Sequence, residues 1–222
     1  MMTSFELNAI WLSLKVSTVA LAIMIPFGLA LGFILARSRR RWWLWLIESF
    51  LNLPMVIPPI VTGYVLLIIL SPGRPLGALL KNLGINLFLD WKGAVLAGAI
   101  VSFPLLLQGV QTAFEGVDPV LETAARTLGA RPIRVFFTIT LPLSTRGVVS
   151  GAALAFARCL GEFGATIMIA SNIRGKTQTI PLAIWQVIDA GGTEDPAWRL
   201  VIVAVAISIA ATLASSLLRR RR

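Results

Sequence analysis

The stretch EGVDPVLETAARTLGARPIRVFFTITLPLSTR, residues 115–146, lies between two long apolar runs and is too rich in charges and turn signals to continue either. Asp118 is placed to cap a helix with Pro119 at its first position, and Gly129 supplies a left-handed stop after Leu128. Pro132 opens a second short helix, expected to run to about Thr138 and to be ended by Pro142. In the first helix Val120, Ala124 and Leu128 recur at i, i+4 and i+8 and share a small apolar face, while Glu122 and Arg126 mark another. The segment reads as a compact helix, turn, helix whose apolar face is offered to a groove on a partner protein.

The flanking runs decide the class. A hydrocarbon core of ~30 Å takes ~20 apolar helical residues. Uncharged stretches of that order lie between Lys15 and Arg37, Glu48 and Arg74, and Lys92 and Glu115. A fourth, from Arg146 to Arg174, is interrupted by Arg158 and Glu162, and a fifth runs from Arg199 to Arg219. The expectation is an all-α polytopic membrane protein with five transmembrane helices, residues 1–222 forming one transmembrane domain. Composition agrees, at 57% hydrophobic and 14% charged, where soluble domains carry ~25% charged residues. The first run does not read as a signal peptide, because Glu6 stands where positive charge is expected and the run is too long.

Basic residues orient the spans. If connections alternate sides, Arg37, Arg39, Arg40, Arg41, Arg126, Arg131, Arg134, Arg146 and Arg219, Arg220, Arg221, Arg222 share one side. Lys15, Arg74, Lys81, Lys92, Arg174, Lys176 and Arg199 take the other, and Arg158 is left within the membrane. The richer side is the cytoplasm, so the N-terminus is expected outside and the C-terminus inside a cytoplasmic (inner) membrane. The net charge of +10 is thus topogenic, with contact to the lipid bilayer and no nucleic-acid partner.

The outer connections are short. Residues 71–91 read as a turn and then an interfacial helix around 79–89. Residues 171–198 read as a polar run and a short helix over 182–188, with Pro181 in its first turn and Gly191 and Gly192 closing it. In the second span, Pro54, Pro58 and Pro59 remove backbone donors. They mark either a break between an interfacial helix over 42–53, anchored by Trp42, Trp43 and Trp45, and a span from Ile60, or a hinge beside a translocation path.

The loop also carries a resemblance. Counting from Gly129 places Thr123, Ala124 and Ala125 on the Glu-Ala-Ala triplet of the cytoplasmic EAA loop of ABC-importer permeases, and Ile139, Leu141 and Pro142 on its downstream positions. Thr123 departs from the pattern, with Glu122 one residue earlier. The fourth span, LAFARCLGEFGATIMIASNI, and RTLGARPIRVFFTITLPLSTRGVVSG resemble the molybdate permease branch of the oxyanion importers, to which sulfate and tungstate permeases are similar. The resemblance implies a type I ABC importer permease fold with a cytoplasmic coupling helix. It also implies a homodimer, two ATP-binding subunits on the cytoplasmic face and an external oxyanion-binding protein.

Arg158 lies about 18 Å up its helix from Arg146, near mid-membrane, with Glu162 one turn further. Such charges face the protein interior or water. They are either a neutralised pair holding helices together or, with Thr166, part of a path where a passing dianion meets a transient positive charge. No catalytic constellation accompanies them: the chain has no His, one Cys, Cys159, and no GxxxxGK[ST] run. No metal site and no cofactor are therefore expected in this chain, and ATP and magnesium belong to a partner subunit. An ATP-independent anion channel is the alternative from another class, and it would not need the loop at 115–146.

Overall fold

The computed structural model describes residues 2–38, 42–191 and 194–220, and every described element is helical. The basic run Arg39, Arg40 and Arg41, the closing Gly192, and Arg221 and Arg222 lie outside the described residues.

Helix α1 (Ser4–Arg37) is longer than its uncharged run, because Thr3 and Glu6 form a capping box that starts it well before Lys15. Lys15 is accommodated on the ring of Trp91, 3.8 Å from its centroid. Helices α2 (Trp42–Val56) and α3 (Pro59–Leu70) meet at 109°. The break falls at Pro58 and Pro59, whereas Pro54 is held inside α2. With 12 residues α3 is only about 18 Å long and cannot cross a bilayer alone. The expected second span is therefore a bent pair.

Helix α4 (Pro75–Asn82) starts earlier than the interfacial helix expected around 79–89, since Pro75 occupies its first turn. Gly84, at φ 75°, turns the chain away after it. Helix α5 (Trp91–Glu115), capped by Asp90, passes through Pro104 unbroken. Helix α6 (Pro119–Thr127) has the expected Asp118 cap, and Gly129 at φ 87° stops the chain after it.

Pro142 does not end the next helix. The chain runs from α7 (Pro132–Val135) through one π turn (Phe136–Thr140) into α8 (Leu141–Leu160). Leu141 N–H donates to the Phe136 carbonyl five residues back, and Pro142, which has no N–H to give, sits in the first turn of the renewed α-helix. The fourth span is broken instead at Gly161, before the short α9 (Gly164–Ala170). Helix α10 (Ile180–Asp189), with Pro181 in its first turn, leads to α11 (Glu194–Arg220).

Helix α5 is the axis of the bundle, and α1, α8 and α9 pack around it. Val16, Ala20 and Met24, Ala97, Val101 and Leu106, Ala155 and Ile169 form the shared core. One end of the bundle gathers the starts of α1, α5 and α11 and the end of α9. There Arg199 Nε donates to Glu6 Oε1 at 2.7 Å and Leu89 N–H to Ile169 O at 3.1 Å. The other end gathers Arg37, Phe114, α6 and the π turn. Among the described residues, four helical stretches are long and apolar enough to cross a membrane, and the bent pair can supply a fifth crossing.

Candidate functional site

The loop at 115–146 is fastened to the bundle through one carboxylate. Glu122 is 3% exposed and turned inward. Arg37, the last residue of α1, grips it with Nε at 3.1 Å and 3.2 Å from the two carboxylate oxygens and with Nη2 at 2.6 Å from Oε1. The same guanidinium donates to the carbonyls of Phe114 and Val117 at the end of α5, at 3.0 and 3.1 Å. Thr140 Oγ1, in the π turn, donates to Glu122 Oε1 at 2.8 Å, and Arg126 lies 3.7 Å from Oε2. One residue of α6 thus ties together α1, α5 and the root of α8. Burial pushes the Glu122 carboxyl up, but the hydrogen bonds from Arg37 and Thr140 and the charges of Arg37 and Arg126 outweigh it and hold it below its ordinary value.

With Glu122 inward, the rest of α6 faces out. Thr123, Ala124 and Arg126 are exposed and Ala125 is half-buried. The Thr123 hydroxyl is returned to the Pro119 carbonyl at 3.0 Å. Val120 and Leu128, at 67% and 89% exposure, present the apolar face read from the sequence. Beyond Gly129, Ile139 and Leu141 are half-buried and Pro142 is exposed. Phe33, Phe114 and Phe136 pack edge to face beneath the anchor, with centroids 5.1–5.8 Å apart.

Arg158 and Glu162 form the second cluster. Arg158 Nη1 donates to Glu162 Oε2 at 2.8 Å, across the end of α8. Glu162 Oε1 accepts the Ala165 N–H at 2.8 Å and so caps α9. The Glu162 side chain is 2% exposed while that of Arg158 keeps 37%, so the cation is the accessible partner. Thr166 is buried in α9.

The break holding Glu162 is pressed against the break in the second span. A Cβ on Gly164 would lie 3.0 Å from Ile60 N and 3.2 Å from Pro59 Cβ. The structure therefore sets the break beside Glu162 against Pro59, one of the three candidate hinge prolines, with Pro58 preceding it in the bend. Pro54 lies a turn away inside α2. Sequence reasoning missed the partnership of Arg37 and Thr140 with Glu122. The available signal was the one acidic residue of α6, matched to an arginine closing a span.

Known proteins resemble this chain along nearly its whole length. Residues 28–222 match the family model described as "Binding-protein-dependent transport system inner membrane component". The chain is 47% identical over 220 residues to the molybdenum transport system permease protein ModB of Escherichia coli (strain K12), covering 99% of this chain and 96% of that one. It is 44% identical over 217 residues to the protein of the same name from Haemophilus influenzae, covering 97% and 94%. Among solved structures, the inward-facing MetNI methionine ABC transporter superposes with a TM-score of 0.74 at 16% identity, over 98% of each chain. A bacterial alginate importer gives 0.75 at 17% identity, over 99% of this chain and 81% of that one. These two share the fold.

Proposed function

The chain belongs to the family of inner membrane components of binding-protein-dependent transport systems, and from that premise we propose that it is the multi-pass membrane subunit of an ATP-driven molybdate importer. The observation that carries this reading is the 47% identity with a molybdenum permease over 99% of the chain. In the ABC-importer permease fold, the loop at 115–146 is the part suited to meet an ATP-binding subunit.

In this reading the N-terminus lies outside, the C-terminus inside, and the chain crosses five times, the second crossing being the bent pair α2 and α3. The basic residues at the loop end support this orientation. It works as a homodimer with two ATP-binding subunits on the cytoplasmic face and an external oxyanion-binding protein. ATP and magnesium are used by the partner subunits, and this chain itself binds no cofactor. Val120, Thr123, Ala124 and Leu128 on the outer face of α6 enter the ATP-binding subunit. Glu122 carries the displacement inward, because it joins α6 to Arg37 of α1 and to Thr140 at the root of α8. Closure of the ATP-bound partners moves that assembly as a body, and the bends at Pro58, Pro59 and Gly161 are where α3 and α9 swing. Arg158 offers the translocating dianion a positive charge, and Glu162, held on the same guanidinium, keeps that binding weak enough for release.

The test is uptake into proteoliposomes holding the permease with its ATP-binding subunit and binding protein. Molybdate should enter only with ATP and be competed by tungstate more strongly than by sulfate. Uptake without ATP would make the chain a channel, and preference for sulfate would move it to the sulfate branch.

A further inference from the structure

Helix α5 is the most enclosed of the long helices, yet its exposed residues toward the loop end are polar. Gln108, Thr112 and Glu115 follow at i, i+4 and i+7 and are all exposed. The exposed sides of α1 and α11 are mainly apolar, with Ile23, Phe27 and Ile34 on α1 and Ile202, Val205 and Ile209 on α11, as lipid contact requires, although Thr18 of α1 is exposed as well. Thr212 of α11 is exposed too, but its hydroxyl is returned to the Ser208 carbonyl of its own helix at 2.8 Å. Gln108 has no such escape. It lies seven residues, about 10 Å, inside Glu115, too deep to reach the headgroups. A primary amide at that depth belongs beside water or a polar ligand and not beside hydrocarbon.

A cavity of about 290 Å³ opens beside it, between α5 and α8. Its α5 wall carries Gln108 and Thr112, and its α8 wall Gly147, Gly151 and Leu154. The floor is backbone: a Cβ on Gly109 would stand 2.7 Å from the Gly151 Cα. Positions 147, 151 and 154 step by four and three along one face of α8, and the next step of four is Arg158. The groove thus runs on the same helix face that carries the partly open guanidinium. From α2, Asn52 and Met55 reach Gln108: Gln108 Nε2 donates to Asn52 Oδ1 at 3.1 Å and lies 3.9 Å from Met55 Sδ, a weak acceptor that an oxyanion can replace, and the Asn52 amide N–H group carries no bond among the described residues.

We propose that this groove is the cytoplasm-ward half of the anion path, taking a tetrahedral dianion from Arg158, with the amides of Gln108 and Asn52 as its hydrogen-bond donors. The inference rests on the importer reading above. Donors without charge suit the step after Arg158, since an oxyanion accepts hydrogen bonds from amides yet is not held by them as by a fixed cation. A second cation at this depth would slow release.

The experiment uses the assembled importer in proteoliposomes, with Gln108→Cys and Ile209→Cys each placed in a Cys159→Ala background. An anionic, membrane-impermeant methanethiosulfonate reagent is presented to the loop side. Gln108→Cys should react at least tenfold faster than the lipid-facing Ile209→Cys, and molybdate should slow the reaction several-fold. Reaction no faster than that of Ile209→Cys, with and without ATP, overturns the proposal, as does fast reaction that molybdate, tungstate and sulfate all leave unchanged. In a parallel arm Gln108→Leu should lower uptake at least tenfold while the complex purifies intact, and unchanged uptake by that variant overturns the donor role. The two readings fail separately. If the unsubstituted importer carries sulfate and not molybdate, the functional reading falls, while labelling slowed by sulfate still supports the groove as the path.

Discussion

Glu122 is an acidic residue that a helix facing a partner would ordinarily present outward, and here it is the attachment of that helix to the bundle. Replacing Arg37 by Gln removes the bidentate grip and leaves the carboxylate buried with one hydroxyl and a distant arginine, a loss of ~3 kcal/mol for a buried pair broken on one side. The expected result is an importer that still assembles and hydrolyses ATP but moves less anion per ATP, read by measuring uptake and hydrolysis on the same vesicles. The pH dependence has a definite sign. Because the folded carboxyl lies below its ordinary value of 4.5, its stabilising contribution is fully present above that value and is lost as pH falls through the lower folded one. Hydrogen exchange in α6, corrected for the intrinsic rate, should therefore stay flat from neutrality to about pH 5 and rise only below the ordinary carboxylate range. Arg158→Gln tests the other cluster: uptake should be abolished while the dimer forms, and normal uptake would reduce the pair to a helix fastener. The caps at Asp118 and Gly129 were legible because cap and turn chemistry is written within a few residues. The grip of Arg37 on Glu122 joins positions 85 apart, and charge counting assigned that arginine to topology alone.

Where helices break is an element-scale matter, and there the sequence was half legible. Pro58 and Pro59 announced the bend between α2 and α3. Gly161 did not announce the end of α8, because a glycine within an apolar membrane run reads equally well as close packing. Pro142 misled in the other direction, since the π turn lets the helix pass a residue that has no N–H. The packing of α3 on α9 supplies the sharper prediction. A Cβ on Gly63 would stand 2.6 Å from the Ala165 Cα and 2.8 Å from its carbonyl oxygen, where only backbone could yield. Gly63→Ala should destabilise the detergent-solubilised protein by ~1–3 kcal/mol through overpacking and depress uptake with it. Gly73→Ala, with open space around the new methyl, should change neither.

At the scale of the whole molecule, the distribution of charge and the path of the chain are independent arguments for one topology. The chain path gathers element ends at two levels, with Glu6 and Arg199 joined at one and Arg37, Glu122 and Thr140 at the other. Five passages between those levels return the C-terminus opposite the N-terminus, provided that α2 and α3 together make one of them. The charge argument then says which level is cytoplasmic, because Arg126, Arg131, Arg134 and Arg146 all belong to the loop end. Single cysteines decide both at once in the Cys159→Ala background: Thr127→Cys, exposed on α6, should react with an impermeant thiol reagent only after the inner face is opened. Lys81→Cys, exposed on α4, should react in intact cells. Asn8→Cys, exposed at the start of α1, is separated from Lys81 by α1 and the bent pair and should react from the same side as Lys81→Cys; reaction of these two from opposite sides would mean that the bent pair re-enters without crossing. The number of passages would then fall to four, and the termini would share a side.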